Sequence, residues 1–263
     1  MLNIELMGTS DSPPVVVLHG LYGSVSNWRR VTRILSEDFQ TVSVDLPNHG
    51  GSAWVDSMDY EMMASAVLEY LAANGLTRVS VIGHSMGGKV AMCMSQIASD
   101  RIEKLIVVDI APVSYPTARM SEHSHLIDAM EALDLKSIGS RSEADSALLQ
   151  AVPETQVRQF LLQNLRKNDG IYEWRINLRG IKQSLVSLMS YPALKKSPIP
   201  AMFLRGLLSD YILDIHRPAI DQCFSDWAMV DIAQVGHWLH AEKPEQVCQL
   251  TRDFFRPQLR QDN

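Results

Sequence analysis

The chain has 263 residues, 46% of them hydrophobic and 21% charged, with 24 Lys and Arg against 30 Asp and Glu for a net charge of −6. That balance excludes a disordered or collagen-like chain, and a chain of this length buries roughly 70–75% of its extended surface, so it folds without a metal or disulfide staple. The acidic excess argues against nucleic acid or an anionic membrane as the main partner, because there is no basic surplus to release counterions.

In chain order, the N-terminal stretch MLNIELMGTSDSPP carries Glu5 and no basic segment, so it does not read as a signal peptide. Residues 15–18 form an apolar run ended by His19-Gly20, and short runs at 41–44, 79–82, 105–108, 201–204 and 228–230 follow. Runs of this kind suit strands buried on both faces of a parallel sheet. Helical stripes lie between them: Met62, Met63, Ala66, Val67, Tyr70 and Leu71 before Gly75, then Val90, Met94 and Ile97, and finally Val247, Leu250 and Phe254 behind Pro244. The alternation predicts an α/β, doubly wound, mostly parallel sheet.

Between 112 and 197 the β-branched runs stop and only helical spacing is read. Leu126, Ile127, Met130 and Leu133 form one stripe, Val157, Phe160, Leu161 and Leu165 another, and Leu185, Leu188 and Met189 a third. This predicts a helical cap at 112–197, over the carboxyl edge of a core made of 1–111 and 198–263. The polar tail 256–263 is expected to fray. No run reaches the ~20 apolar residues that span a bilayer. Cys93, Cys223 and Cys248 are widely separated, with no CxxC pair. The expectation is a soluble, cytoplasmic protein with no metal site and no cofactor; nothing in the sequence fixes its oligomeric state.

Gly83-His84-Ser85-Met86-Gly87 follows the run 79–82 and opens a helical stripe. A GxSxG at a strand–turn–helix junction is the setting of an exposed nucleophile, Ser85, at the N-terminus of a helix that favours developing negative charge. A serine hydroxyl needs a base. His237, in Gly236-His237-Trp238 after the last strand run, returns to the sheet's carboxyl edge in the order Ser…Asp…His. Of the other histidines, His84 is read as packing, His19 as ordering its loop, and His49 and His240 as loop or supporting residues. His123, His125 and His216 are read as solvated. The oxyanion needs two converging N–H donors, for which Met86 and Leu21 are the candidates. Two acids end strands on the correct edge, Asp109 and Asp210, while Asp45 is read as bonding turn amides.

These segments resemble the α/β-hydrolase family. The likeness rests on His19-Gly20, the stretch DLPNHGGS at 45–52, GHSMGG at 83–88 and Gly236-His237-Trp238. More narrowly, Val108-Asp109-Ile110-Ala111-Pro112-Val113, RGLLSDYI at 205–212 and GHWLHAEKP at 236–244 look like the bacterial YbfF-type esterase group. The resemblance implies a helical cap inserted after the sixth strand and an acid at Asp109, with Asp210 the alternative. Ser209 stands where the broad family usually carries its acid. It also implies a Ser-His-Asp serine hydrolase of short- to medium-chain esters, or of acyl-CoA thioesters, working through an acyl-enzyme. Met120, Leu126, Met130, Phe160, Tyr172 and Trp174 are candidate pocket walls, and Arg119, Arg166, Lys167, Arg175 and Arg179 candidate contacts for CoA phosphates. A carbon–carbon hydrolase or lyase of the menaquinone-pathway type, a cofactor-free haloperoxidase and a non-catalytic ligand-binding member are the alternatives on the same fold.

Overall fold

Val15, Val16, Val17 and Leu18 are all essentially inaccessible, yet alternate members face different clusters. Val16 and Leu18 pack with Met63, Val67, Val90 and Met94, whereas Val15 and Val17 pack with Val31, Leu35, Val247 and Cys248. A strand whose two faces are both covered by helices is favoured to be apolar on both, which is why residues 15–18 do not alternate with polar residues. In the computed structural model, which describes residues 1–192 and 195–256, the predicted runs become strands of one seven-stranded sheet. Residues 257–263, on which the expectation of a frayed tail falls, lie outside the described residues.

The chain runs β1 (Asn3–Met7), β2 (Pro14–Leu18), α1 (Arg29–Leu35), β3 (Gln40–Asp45), α2 (Tyr60–Ala73), β4 (Val79–His84), α3 (Met86–Ile97) and β5 (Ile102–Val108). An insertion follows: α4 (Thr117–Glu131), α5 (Arg141–Leu148), α6 (Thr155–Leu162), β6 (Leu165–Asn168), β7 (Ile171–Trp174) and α7 (Leu178–Met189). The sheet resumes with β8 (Ala201–Gly206), α8 (Arg217–Cys223), β9 (Trp227–Ile232), α9 (Leu239–Glu242) and α10 (Pro244–Phe255). Strand order is β1-β3-β2-β4-β5-β8-β9, with β1 antiparallel to β3 and every other pair parallel. The winding reverses between β2 and β4, so their carboxyl ends, with Leu18 opposite Gly83, flank the cleft where ligands bind in such sheets.

Three expectations change. Strand β1 was not read from the sequence: five half-exposed edge residues carry too little pattern. The insertion leaves after the fifth strand in chain order, not the sixth, because the sheet has seven strands among the described residues. The insertion is also not all helical. Leu165, assigned to a helical stripe, starts β6, which pairs antiparallel with β7 around Asp169-Gly170. Both turn residues have positive φ (47° and 86°), the geometry that a two-residue hairpin loop requires and that Asp-Gly supplies.

Candidate active site

The turn after β4 forces Ser85 into an uncommon backbone. Its φ of 51° and ψ of −118° are adopted between a strand and a helix, while its N–H bonds Val108 O at 3.0 Å on the neighbouring strand. Only small neighbours permit this bend. A Cβ on Gly87 would lie 2.5 Å from His19 O, and one on Gly20 would lie 3.2 Å from Ser85 Cβ. The missing side chains let the first turn of α3 and the turn after β2 close directly around the serine. Ser85 makes no capping bond of its own.

Across the cleft, Asp109 directly follows β5, with a φ of 52°, and is completely buried. Such backbone outliers persist only where surrounding bonds hold them. Here the Asp109 N–H bonds Leu204 O at 2.8 Å, and its carboxylate accepts from Gly206 N–H at 3.1 Å, from the Ser209 hydroxyl, and from His237 Nδ1 at 2.8 Å. With Nδ1–H donated to Asp109, the other ring nitrogen, Nε2, keeps its lone pair. The imidazole is gripped from one face by Tyr211, stacked at 3.9 Å and 17°, and its backbone oxygen accepts from His84 Nε2 at 2.8 Å. Asp210, the alternative acid, points elsewhere: its carboxyl is 68% exposed and pairs with Arg119 at 2.6 Å. Neither Ser209 nor Tyr211 was singled out as a partner of the acid and the histidine. The one available signal was Ser209 in the loop position that usually holds the acid.

The turn 19–23 faces the serine. Within it the Tyr22 N–H goes to His49 Nε2 at 3.2 Å and the Gly23 N–H to Gly20 O at 2.9 Å, and Leu21 lines the same cavity as Ser85. Met86 is the first residue of α3, where an N–H has no partner within the helix. Two histidines hold the turn as neutral rings. His19 donates from Nδ1 to Gly20 O and accepts Leu46 N–H, and His49 donates from Nδ1 to Pro47 O while accepting Tyr22 N–H. Asp45 accepts from Asn3 Nδ2, Val25 N–H and Gly51 N–H, the turn role expected of it.

Burial works against the charged form of these rings. It lowers His19, lowers His84 well below the ordinary value, and pulls His49 and His240 down to about 3. A histidine depressed in the folded state takes up no proton there while the unfolded chain does, so stability is full above about pH 6.5 and falls as pH drops towards the folded value. Each such ring contributes a slope of roughly 1 kcal/mol per pH unit in that window. The urea midpoint is therefore expected to fall steadily from pH 7 to pH 4.5, with uptake of more than one proton on unfolding; a flat profile would contradict it.

Ser85 and His237 line one cavity of about 230 Å³ together with Leu21, Leu126, Phe160 and Trp238. Leu126 and Phe160 thus stand where pocket walls were expected. Met130 is fully buried and receives the Trp174 indole N–H on its carbonyl, while Tyr172 packs beside Trp174 against the core, so these three build the insertion's interior. Met120 lines a separate shallow depression with Tyr115 and Met189. His123, expected in solvent, instead lines the cavity beside the Tyr22 hydroxyl, and burial pulls it down to about 4. Of the five candidate phosphate contacts only Arg119 reaches the cavity, and it is paired with Glu122 and Asp210. Arg166 is paired with Glu173, and Lys167 lies over the Tyr172 ring.

Among the described residues no group of His, Cys, Asp and Glu is arranged to hold a metal ion, and no helix is long and apolar enough to cross a membrane. A family model described as "Alpha/beta hydrolase family" matches residues 15–250. The chain is 34% identical to Esterase YbfF of Escherichia coli over 93% of its own length and 94% of that protein's. It is 37% identical to the sn-1-specific diacylglycerol lipase ABHD11 of Xenopus tropicalis, over 94% of this chain and 77% of that one. Among solved structures, a marine microorganism esterase superposes with a TM-score of 0.93 at 38% identity, covering 96% of this chain and 98% of the other.

Proposed function

Because this chain belongs to the alpha/beta hydrolase family and is a carboxylesterase-type hydrolase, we propose that it cleaves short- to medium-chain carboxylic esters with Ser85 as nucleophile, His237 as base and Asp109 as the acid. His237 Nε2 takes the hydroxyl proton as Ser85 Oγ attacks the ester carbonyl, and the N–H groups of Leu21 and Met86 receive the negative charge that develops on the carbonyl oxygen. The same imidazole then gives its proton to the departing alcohol oxygen, leaving an acyl group on Ser85. Water, deprotonated by His237, releases the acid and restores the serine. Asp109 keeps the imidazole in the tautomer that leaves Nε2 free and offsets the positive charge it gains.

One observation carries this: the buried Asp109 carboxylate bonds His237 Nδ1 at 2.8 Å while the same imidazole lines a cavity with Ser85. The cavity's 230 Å³ is the space of roughly eight water molecules at about 30 Å³ each, which suits a short acyl chain. The insertion, treated as a cap at 112–197, supplies Leu126 and Phe160 to that apolar wall. An ester is favoured over an acyl-CoA because the basic residues of the insertion do not gather at the cavity. A series of p-nitrophenyl esters from acetate to dodecanoate, run beside butyryl-CoA, tests the assignment. The expected kcat/KM maximum lies at about four to eight carbons, with the thioester slower; a maximum at dodecanoate or a preferred thioester would overturn it.

A further inference from the structure

His84 is the last residue of β4 and is joined directly to Ser85. Its ring is buried, as a packing residue's would be, but it also touches the two other segments that build the site. Its Nε2 lies 2.8 Å from the backbone oxygen of His237. A carbonyl only accepts, so Nε2 carries the hydrogen and the ring is held in one tautomer. The two imidazoles stand 4.5 Å apart, tilted by 45°. On the side of the turn 19–23, the ring rests against the bare backbone of Gly20, where a Cβ would lie 2.7 Å from His84 Nδ1. His240, from α9, meets the same ring at 4.6 Å, and Trp28, directly before α1, stacks on His240 at 4.4 Å and 7°. Four rings are thus in contact from the start of α1 to His237. Burial, reinforced by the neighbouring His237 and His240, holds His84 well below the ordinary histidine range, so it remains a neutral donor.

We propose that His84 is a positioning residue for the hydrolysis, fixing the separation of His237 from Ser85 through the bond it donates to the His237 backbone oxygen. The inference rests on the assignment of Ser85 and His237 above. Asp109 and Tyr211 hold the imidazole of His237, at Nδ1 and on one ring face, whereas His84 holds its main chain. The base is therefore tethered at both ends, and the main-chain tether runs to the residue next to the nucleophile. A shift of the 236–238 loop away from Ser85 has to break that bond. Reacting groups misplaced by about 1 Å lose about 10²-fold in rate, so a single well-directed hydrogen bond is enough to matter. His84 acts only through His237 and exchanges no proton with the ester.

The test replaces His84 with Leu, Asn or Gln and measures turnover of p-nitrophenyl butyrate and the rate at which a fluorophosphonate labels Ser85. Gln can set an N–H where Nε2–H stands, Asn carries the same amide one bond short of it, and Leu has no donor. His84→Leu and His84→Asn are expected to lower kcat and the labelling rate by about 10²-fold, and His84→Gln to stay within about fivefold of the parent. KM is expected to change by less than about twofold throughout, because acylation and deacylation need the same imidazole and slow together. Thermal melting checks that each variant is folded; should the Leu variant not fold, the Asn and Gln variants, alike in polarity, decide the matter. Equal rates for Asn and Gln, whether fast or slow, would overturn the proposal, as would a folded Leu variant with the parent's kcat or a loss confined to KM. Failure of the underlying assignment reads differently: Ser85→Ala or His237→Ala would then keep its turnover with His84 in place.

Discussion

Asp109→Asn is expected to lower kcat by about 10³–10⁴, whereas Asp210→Asn changes it by only a few-fold. The two residues are neighbours in function only on paper. Both follow strands at the sheet's carboxyl edge, but Asp109 is wholly buried with its carboxylate shared among Gly206 N–H, Ser209 Oγ and His237 Nδ1. Asp210 is a surface acid paired with Arg119. An amide at 109 is isosteric but can present an N–H to Nδ1, which turns the imidazole to the tautomer whose Nε2 already holds a proton and cannot accept one from Ser85. The protein folds, binds substrate and fails at proton transfer, so kcat falls with KM little changed. Ser209 adds a second arm to this prediction. Its hydroxyl touches the same carboxylate, so Asp109→Ser combined with Ser209→Asp brings an acid to His237 from the β8 loop and is expected to recover part of the lost rate. A steeper loss from Asp210→Asn than from Asp109→Asn would reverse the assignment.

Ser85→Ala and His237→Ala are each expected to reduce kcat by about 10⁶, and the double variant by no more than either alone. The reason is that the base does nothing without the hydroxyl it deprotonates, and the hydroxyl is a poor nucleophile without the base. Their contributions are therefore one contribution, lost whole with either partner. What survives comes from the amides of Leu21 and Met86 and from holding the ester in the cavity, a residue of about 10³ over water in enzymes of this kind. Steady-state rates on p-nitrophenyl butyrate for the two single variants and the double variant measure this directly. If the two losses multiply, Ser85 and His237 act in separate steps and the proposed mechanism is wrong.

The sequence carried the sheet because a strand buried on both faces is apolar at nearly every position, as residues 15–18 and 105–108 are throughout and 79–82 are except for the buried Ser80. Ser85 was legible because its bend needs Gly83 and Gly87 on either side, a local constraint written into consecutive residues. His237 was legible from its place after the last strand. The choice between Asp109 and Asp210 was not, since it depends on which carboxylate points inward, and that is decided by a backbone φ of 52° at Asp109 and by bonds from residues about 100 positions away. The hairpin in the insertion was legible and missed: Asp169-Gly170 is a turn signal, overruled by the spacing of Leu161 and Leu165. Walls of the cavity were read least well. An apolar residue on a helix looks the same whether it faces a cavity, as Leu126 does, or the insertion's own interior, as Met130 does. His123 shows the converse, a polar residue drawn into the cavity by tertiary packing that no local pattern encodes.

The most direct test of the whole account is to quench the protein during turnover of p-nitrophenyl butyrate and map the acylated residue by peptide mass spectrometry. The account predicts one butyryl group per chain, on Ser85, absent from Ser85→Ala. Undiminished turnover by Ser85→Ala, or a butyryl group carried by a different residue, would contradict it.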